Sequence, residues 1–142
     1  MSIDEYIYAK VHSYYWQEDL NCATTMLKIL SEIFNLNLQE QVVQAAIGMH
    51  GAGGYRAQCG LVEGGLMFIG VAGLAYVWPT ERTVVLCKNY AKQFDERFGS
   101  LLCRDLRPAG FSLDNPPHLC ERLTVEAVMF AAEYMRLVMS ND

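Results

Sequence analysis

The chain has no two cysteines spaced as C-x-x-C and no C-x-x-C-H stretch, although it holds five cysteines in 142 residues. The first absence removes the compact zinc ribbon and the thioredoxin-type dithiol. The second removes covalent haem attachment. Charge is scarce, at 19 % of residues, and lysine and arginine are scattered rather than striped. With a net charge of -5, the chain offers no basic face to nucleic acid. Strand-type alternation is nearly absent, as are internal repeats and low-complexity tracts, which leaves helices. Residues 1–10 show no basic region followed by an apolar run, so no secretory or twin-arginine signal is expected there, and a cytoplasmic protein with reduced thiols is expected.

Apolar residues are plentiful instead, at 52 %, above the usual share. The length suits one domain, 1–142, with a sizeable core. A surface short of charge would be relieved by an oligomer interface. Ser2 and Glu5 form a capping-box pattern and open a first helix that runs to about Gln17. Asp19 is placed to cap a second, with Cys22, Met26, Ile29, Leu30, Ile33 and Phe34 along one face. Residues 37–40 start a third, shorter helix. A fourth, very apolar helix runs from near Cys59 to about Tyr76. Pro79 and Thr80 open a fifth, with Val84, Cys87, Ala91, Phe94 and Phe98 as its stripe and Gly99 as its stop. A loop with Pro108, Gly110, Pro116 and Pro117 follows, and a last helix carries Cys120, Leu123, Ala127, Phe130, Tyr134 and Val138. The expected fold is an all-α single-domain bundle of five to six helices around a glycine-rich central helix.

Seven of the eleven glycines fall in GMHGAGGYRAQCGLVEGG, residues 48–65. A dinucleotide loop needs a third glycine where Arg56 stands, and it needs a strand before it. A P-loop needs a Gly-Lys-Ser/Thr ending, which is missing. Residues 61–78 hold a single charge, Glu63, and Gly60-x-x-x-Gly64 imitates a packing motif of membrane helices. However, basic anchors are absent, and five glycines each cost about 0.8–1 kcal/mol against Ala in an isolated helix. A membrane span is therefore not expected. The stretch reads as close helix packing with a site at Cys59. Gly51, Gly53 and Gly54 are free to adopt positive φ and to aim backbone N–H groups into a concavity suited to anions or sulfur clusters, with Gly60 beside Cys59.

Cys22, Cys59 and Cys120 lie near expected helix N-termini, where free N–H groups and the helix dipole favour a thiolate. Cys103 follows the Gly99 stop and stands next to Arg104. Cys87 sits mid-helix on an apolar stripe and reads as core. By position alone, packing explains the other cysteines as well. Separations of 37, 44 and 17 residues match no compact zinc or ferredoxin pattern.

Asn21-Cys22-Ala23, glycine-rich 48–54, Cys59-Gly60-Leu61-Val62-Glu63-Gly64, FDERFGSLLC at 94–103 and then Cys120 occur in an order that resembles the C_GCAxxG_C_C family of redox-active proteins. The resemblance runs from about Tyr14 to Tyr134. Leu61 departs from the family's alanine. The resemblance implies Cys22, Cys59, Cys103 and Cys120 as the characteristic set and leaves Cys87 outside, in agreement with the stripe. It extends to the non-haem part of split-Soret cytochromes and implies an iron–sulfur centre without haem.

Three functions remain open at this point. Four thiolates are the full ligand set of an iron–sulfur cluster, most simply a two-iron one, for electron transfer with an unnamed redox partner protein. Arg56 and Arg104 are then candidate neighbouring cations. Alternatively, the cysteines form reversible disulfides or hold a structural zinc. In a different class, the protein is a homodimeric helical module with packing cysteines, and Tyr6, Tyr8, Tyr14, Tyr15 and Trp16 form its interface. His50 is expected to hydrogen-bond near the glycine loop. Glu63 is expected to be buried, with a raised pKa, against an arginine. No acid–base pair or Ser/His/Asp set stands out, so no catalytic residue is assigned.

Overall fold

Ser2 begins the first helix: its hydroxyl accepts the Glu5 amide at 3.1 Å, and α1 spans Ile3–Trp16. In the computed structural model, which describes residues 1–107 and 117–140, seven further helical segments follow. They are α2 (Cys22–Ile33), α3 (Glu40–Ala45), α4 (Gly51–Gly54), α5 (Gly60–Ala75), α6 (Thr80–Phe98), α7 (Cys103–Leu106) and α8 (Glu121–Ser140). The described residues contain no strand, only one isolated antiparallel bridge between Gln58 and Leu102. The all-α expectation holds. The count exceeds five to six because α4 and α7 are single turns of four residues.

Helix α5 is the centre. It is apolar nearly all round, as a helix enclosed by others must be. Its glycines face neighbours that leave no room for a Cβ. One added at Gly64 would overlap the Ala23 carbonyl of α2 and lie 3.0 Å from Met26 Cβ. At Gly65 it would strike the Tyr90 ring of α6, and at Gly73 the Thr83 side chain. Tyr90 Oη donates to the Leu61 carbonyl at 3.0 Å and is wholly buried. Beyond it, Phe94, Phe98 and Phe130 continue an aromatic contact from α6 to α8. Among the described residues, no helix is long and apolar enough to cross a membrane.

Helix α1 is pinned from two sides. The Glu32 carboxylate of α2 accepts from Tyr6 Oη at 2.7 Å and from Tyr14 Oη. Tyr15 Oη shares a hydrogen bond with Thr124 Oγ1 of α8 at 2.6 Å. The N-terminal aromatic cluster is thereby divided: Tyr14 and Tyr15 are core, while Tyr8 and Trp16 are exposed.

Several expected boundaries move. Asp19 does not cap α2; it turns the chain at φ 52°. The cap is Asn21, whose Oδ1 accepts the Thr24 amide at 2.8 Å. The third helix starts at Glu40 rather than at Asn37, without a side-chain cap. Val84 leaves the α6 stripe and is exposed, because the buried line runs through Tyr90 and Phe94. Cys120 precedes α8 and caps it through its carbonyl, which accepts the Thr124 amide at 2.8 Å. The loop expected at Pro108, Gly110 and Pro116 lies outside the described residues.

Candidate cysteine site

Each of four cysteines stands where a helical segment begins. Cys22 is the first residue of α2, Cys59 the cap of α5, Cys103 the first residue of α7, and Cys120 the residue before α8. Short-range interactions place them. Asn21 caps α2 through Oδ1, and its Nδ2 donates to the carbonyls of Ala46 and Ile47 and to His50 Nδ1 at 3.1 Å. One amide side chain thus ties the start of α2 to the loop before the glycines.

Cys59 and Cys103 are joined through the backbone. The Cys59 amide donates to the Leu101 carbonyl at 2.8 Å, and the Cys103 amide to the Ala57 carbonyl at 2.7 Å. These two bonds flank the Gln58–Leu102 bridge and set segments 44 residues apart side by side.

The glycines admit sulfur. A Cβ at Gly60 would overlap Cys22 Sγ and approach the Met49 carbonyl at 3.0 Å. A Cβ at Gly51 would meet Cys103 Cβ at 3.3 Å and its Sγ at 3.4 Å. Gly51, Ala52, Gly53 and Gly54 all have positive φ, so α4 is a left-handed turn, a conformation that costs any residue with a Cβ. The expected cradle of N–H groups is corrected in part. The Gly53 and Gly54 amides bond back to the carbonyls of Gly48 and His50, so they hold the turn rather than a ligand. Gly54 still lines the site.

A cavity of about 360 Å³ opens between these segments, with Cys22, Cys103 and Cys120 on its walls together with His50, Arg56, Arg107, His118 and Tyr15. Cys59 is not part of this lining and is buried, 5 % exposed. Electrostatically the four thiols form one group. Burial raises the Cys22 pKa most, and charge on Cys59, Cys120 or Cys103 raises it further. Cys59 is pushed up to about 11, by burial first. The Leu61 and Val62 amides pull it back, and Cys103 and Cys120 add to the rise. Cys103 and Cys120 are raised by burial, against the pull of Arg107 on both and of Arg56 on Cys103. Cys87 stands apart on α6, raised by burial alone.

These shifts correct the expectation that helix starts would leave the thiols ionised. Backbone amides do favour the thiolates of Cys22 and Cys59, but desolvation and mutual repulsion outweigh them. Arg104 is also corrected. It is exposed, and Arg107, one turn on, takes its place beside the cysteines. Glu63 has a raised pKa from burial, as expected, but its carboxylate accepts from Gln58 Nε2 at 3.0 Å instead of meeting an arginine. Arg107, Tyr15 and His118 escaped the sequence reading. Their only signals were Tyr15's place among aromatics and His118's nearness to Cys120. Among the described residues, no three His, Cys, Asp or Glu side chains are grouped closely enough to hold a single metal ion.

The family described as "Putative redox-active protein (C_GCAxxG_C_C)" matches residues 20–134, a span that contains all four of these cysteines. No curated protein and no solved structure matches the chain.

Proposed function

Since the chain belongs to the C_GCAxxG_C_C family of redox-active proteins, we propose that Cys22, Cys59, Cys103 and Cys120 are the ligands of an iron–sulfur cluster and that the protein transfers electrons. One observation carries this reading: four cysteines from four separate stretches stand at the starts of four helical segments, three of them on the wall of one cavity and the fourth, Cys59, buried and electrostatically coupled to them, while Cys87 is not.

The donor set suits such a group. Four thiolates complete its ligation, and backbone amides at the starts of α2 and α5 favour the thiolates of Cys22 and Cys59. Three of the thiols line the walls of one cavity, Cys59 is buried, and among the described residues no three are grouped for a single ion, which favours a polynuclear group over a lone zinc. When bound, an iron–sulfur cluster supplies one-electron redox chemistry. The protein's part is to place and neutralise the sulfurs. Arg56 and Arg107 offset thiolate charge, Asn21 fixes the start of α2, and Gly60 and Gly51 let Cys22 and Cys103 approach. Ligation displaces the thiol protons, so loading should tighten as pH rises.

The test is anaerobic purification followed by a visible spectrum with iron and sulfide analysis. A coloured protein with about two irons and two sulfides per chain is expected. Serine at 22, 59, 103 or 120 should abolish or degrade the centre, and Cys87→Ala should leave it intact. Colourless, iron-free protein whose thiol count rises on reduction would replace the cluster with disulfide chemistry. Loss of iron on Cys87→Ala would overturn the ligand assignment.

A further inference from the structure

Helix α5 is apolar nearly all round, yet its C-terminal half is not covered on every side. There Met67, Gly70, Val71 and Leu74 border an open groove of about 670 Å³, whose other wall includes Val42 and Ala45 of α3. Leu74 is 85 % exposed, and so is Val77 just past the helix end. Helix α3 has six residues, no side-chain cap and no buried residue. A helix that short is marginal in water unless its apolar side is packed. A contiguous apolar face left bare in this way marks an interaction surface.

The chemistry of the face selects what can cover it. No charged side chain lines the groove; its polar groups are the amides of Asn37, Gln39 and Gln41. The one charged residue of α3, Glu40, and that of α5, Glu63, lie outside the lining and accept from Gln44 at 2.8 Å and Gln58 at 3.0 Å. A two-fold interface sets one patch against itself, so a charge near the axis would meet its own kind. A neutral face escapes that repulsion, and a side-chain amide carries both donor and acceptor, so it can pair with its own copy. Leu74 and Val77 are nearly bare, Ala45, Gly70 and the three amide residues are exposed, and Val42, Met67 and Val71 are half-buried. Such a face presents on the order of 600 Å² per copy, so that two copies reach the lower bound of specific interfaces.

We propose that the α3–α5 face is covered by a second copy of this chain, with the two α5 helices antiparallel about a two-fold axis level with Ala72. Residues equidistant from that level then face each other. Leu74 of each copy enters the groove of the other beside Gly70, and Val77 approaches Met67. Glu63 sets the antiparallel sense: a parallel pair would bring Glu63 against Glu63, whereas the antiparallel pair holds them roughly 27 Å apart at 1.5 Å per residue. Antiparallel helix dipoles also attract. The cysteine cavities, beside the N-terminal ends of α5, then lie at opposite ends of the pair and stay open. The contact does not rest on the electron-transfer reading above.

The test is sedimentation velocity of the full chain in reductant, so that no disulfide joins two copies. An interface at the lower size bound is reversible, so the mass should be near 16.0 kDa at ~5 µM and approach twice that at ~500 µM. Leu74→Glu places like charges on both sides of the axis and should hold the chain at monomer mass throughout. Its far-UV circular dichroism should match wild type, because the Leu74 side chain is bare. Tyr8→Glu, on the exposed side of α1, should associate as wild type does. Because the face is neutral, association should persist at ~0.5 M salt, where exposed charges are screened within a few ångströms. A chain that stays monomeric at ~500 µM overturns the proposal and leaves the groove to a different protein. Association that survives Leu74→Glu, is lost with Tyr8→Glu or dissolves in salt overturns the placement of the interface on α3 and α5.

Discussion

Two glycines of α5 should respond to alanine with opposite signs. Gly64 packs against the α2 backbone: an added Cβ would overlap the Ala23 carbonyl and lie 3.0 Å from Met26 Cβ. Neither can yield as the tip of a flexible chain can, so α2 and α5 must part, and α2 contributes Met26, Leu27, Ile29 and Leu30 to the core. Overpacking of this kind costs about 1–3 kcal/mol, with close backbone contact at the upper end. Alanine returns about 0.8–1 kcal/mol through its better helix propensity. The net is a loss of about 1–2 kcal/mol, or a melting point lower by about 2–8 °C at about 2–4 °C per kcal/mol. Gly70, six residues on in the same helix, has nothing within 4 Å of an added Cβ. There only the propensity gain acts, and Gly70→Ala should melt about 2–4 °C higher. The assay is thermal unfolding by circular dichroism of wild type and both variants at matched iron content, because a bound centre adds stability of its own. Equal stability of Gly64→Ala and wild type would refute the close α2–α5 contact. A lower melting point for Gly70→Ala would show that its face is covered.

Glu63 gives a pH-dependent prediction. Its folded pKa is raised by burial above the unfolded value, so the folded state binds the proton more tightly. The ionised group therefore opposes folding at neutral pH, and that opposition fades as pH falls through the carboxylate range. Glu63→Gln should be at least as stable as wild type at pH 7, with the difference closing toward pH 4; urea titrations at both pH values check it, and a difference that widens on acidification contradicts the burial. Asn21→Ala removes the α2 cap and the tie to Ile47 and His50. It should cost about 1–2 kcal/mol in urea unfolding and lower iron retention through Cys22, whereas retention equal to wild type would mean that Cys22 is placed without it.

Helix punctuation was legible because it acts over three or four residues. Ser2 capping Glu5, Pro79 before α6 and Gly99 at φ 89° are local chemistry, and each stands where its residue type predicts. The α2 start was misread by two residues because Asp19 and Asn21 are both competent caps, and only the loop after α3, by accepting the Asn21 amide, selects the second. The stripe that set Cys87 apart was legible from period alone, though Val84 was wrongly included in it.

Residue order and spacing determined the all-α class, the helix starts beside Cys22, Cys59 and Cys120, and the crowding of glycine ahead of α5. Tertiary structure alone decided that Cys59 lies alongside Cys103, that Arg107 rather than Arg104 serves the thiols, and that those thiols hold their protons more tightly than helix starts suggest. The reason is range. Caps and periodicity are interactions among near neighbours, whereas a cavity wall and the desolvation of a sulfur are properties of segments that meet only when the chain has folded.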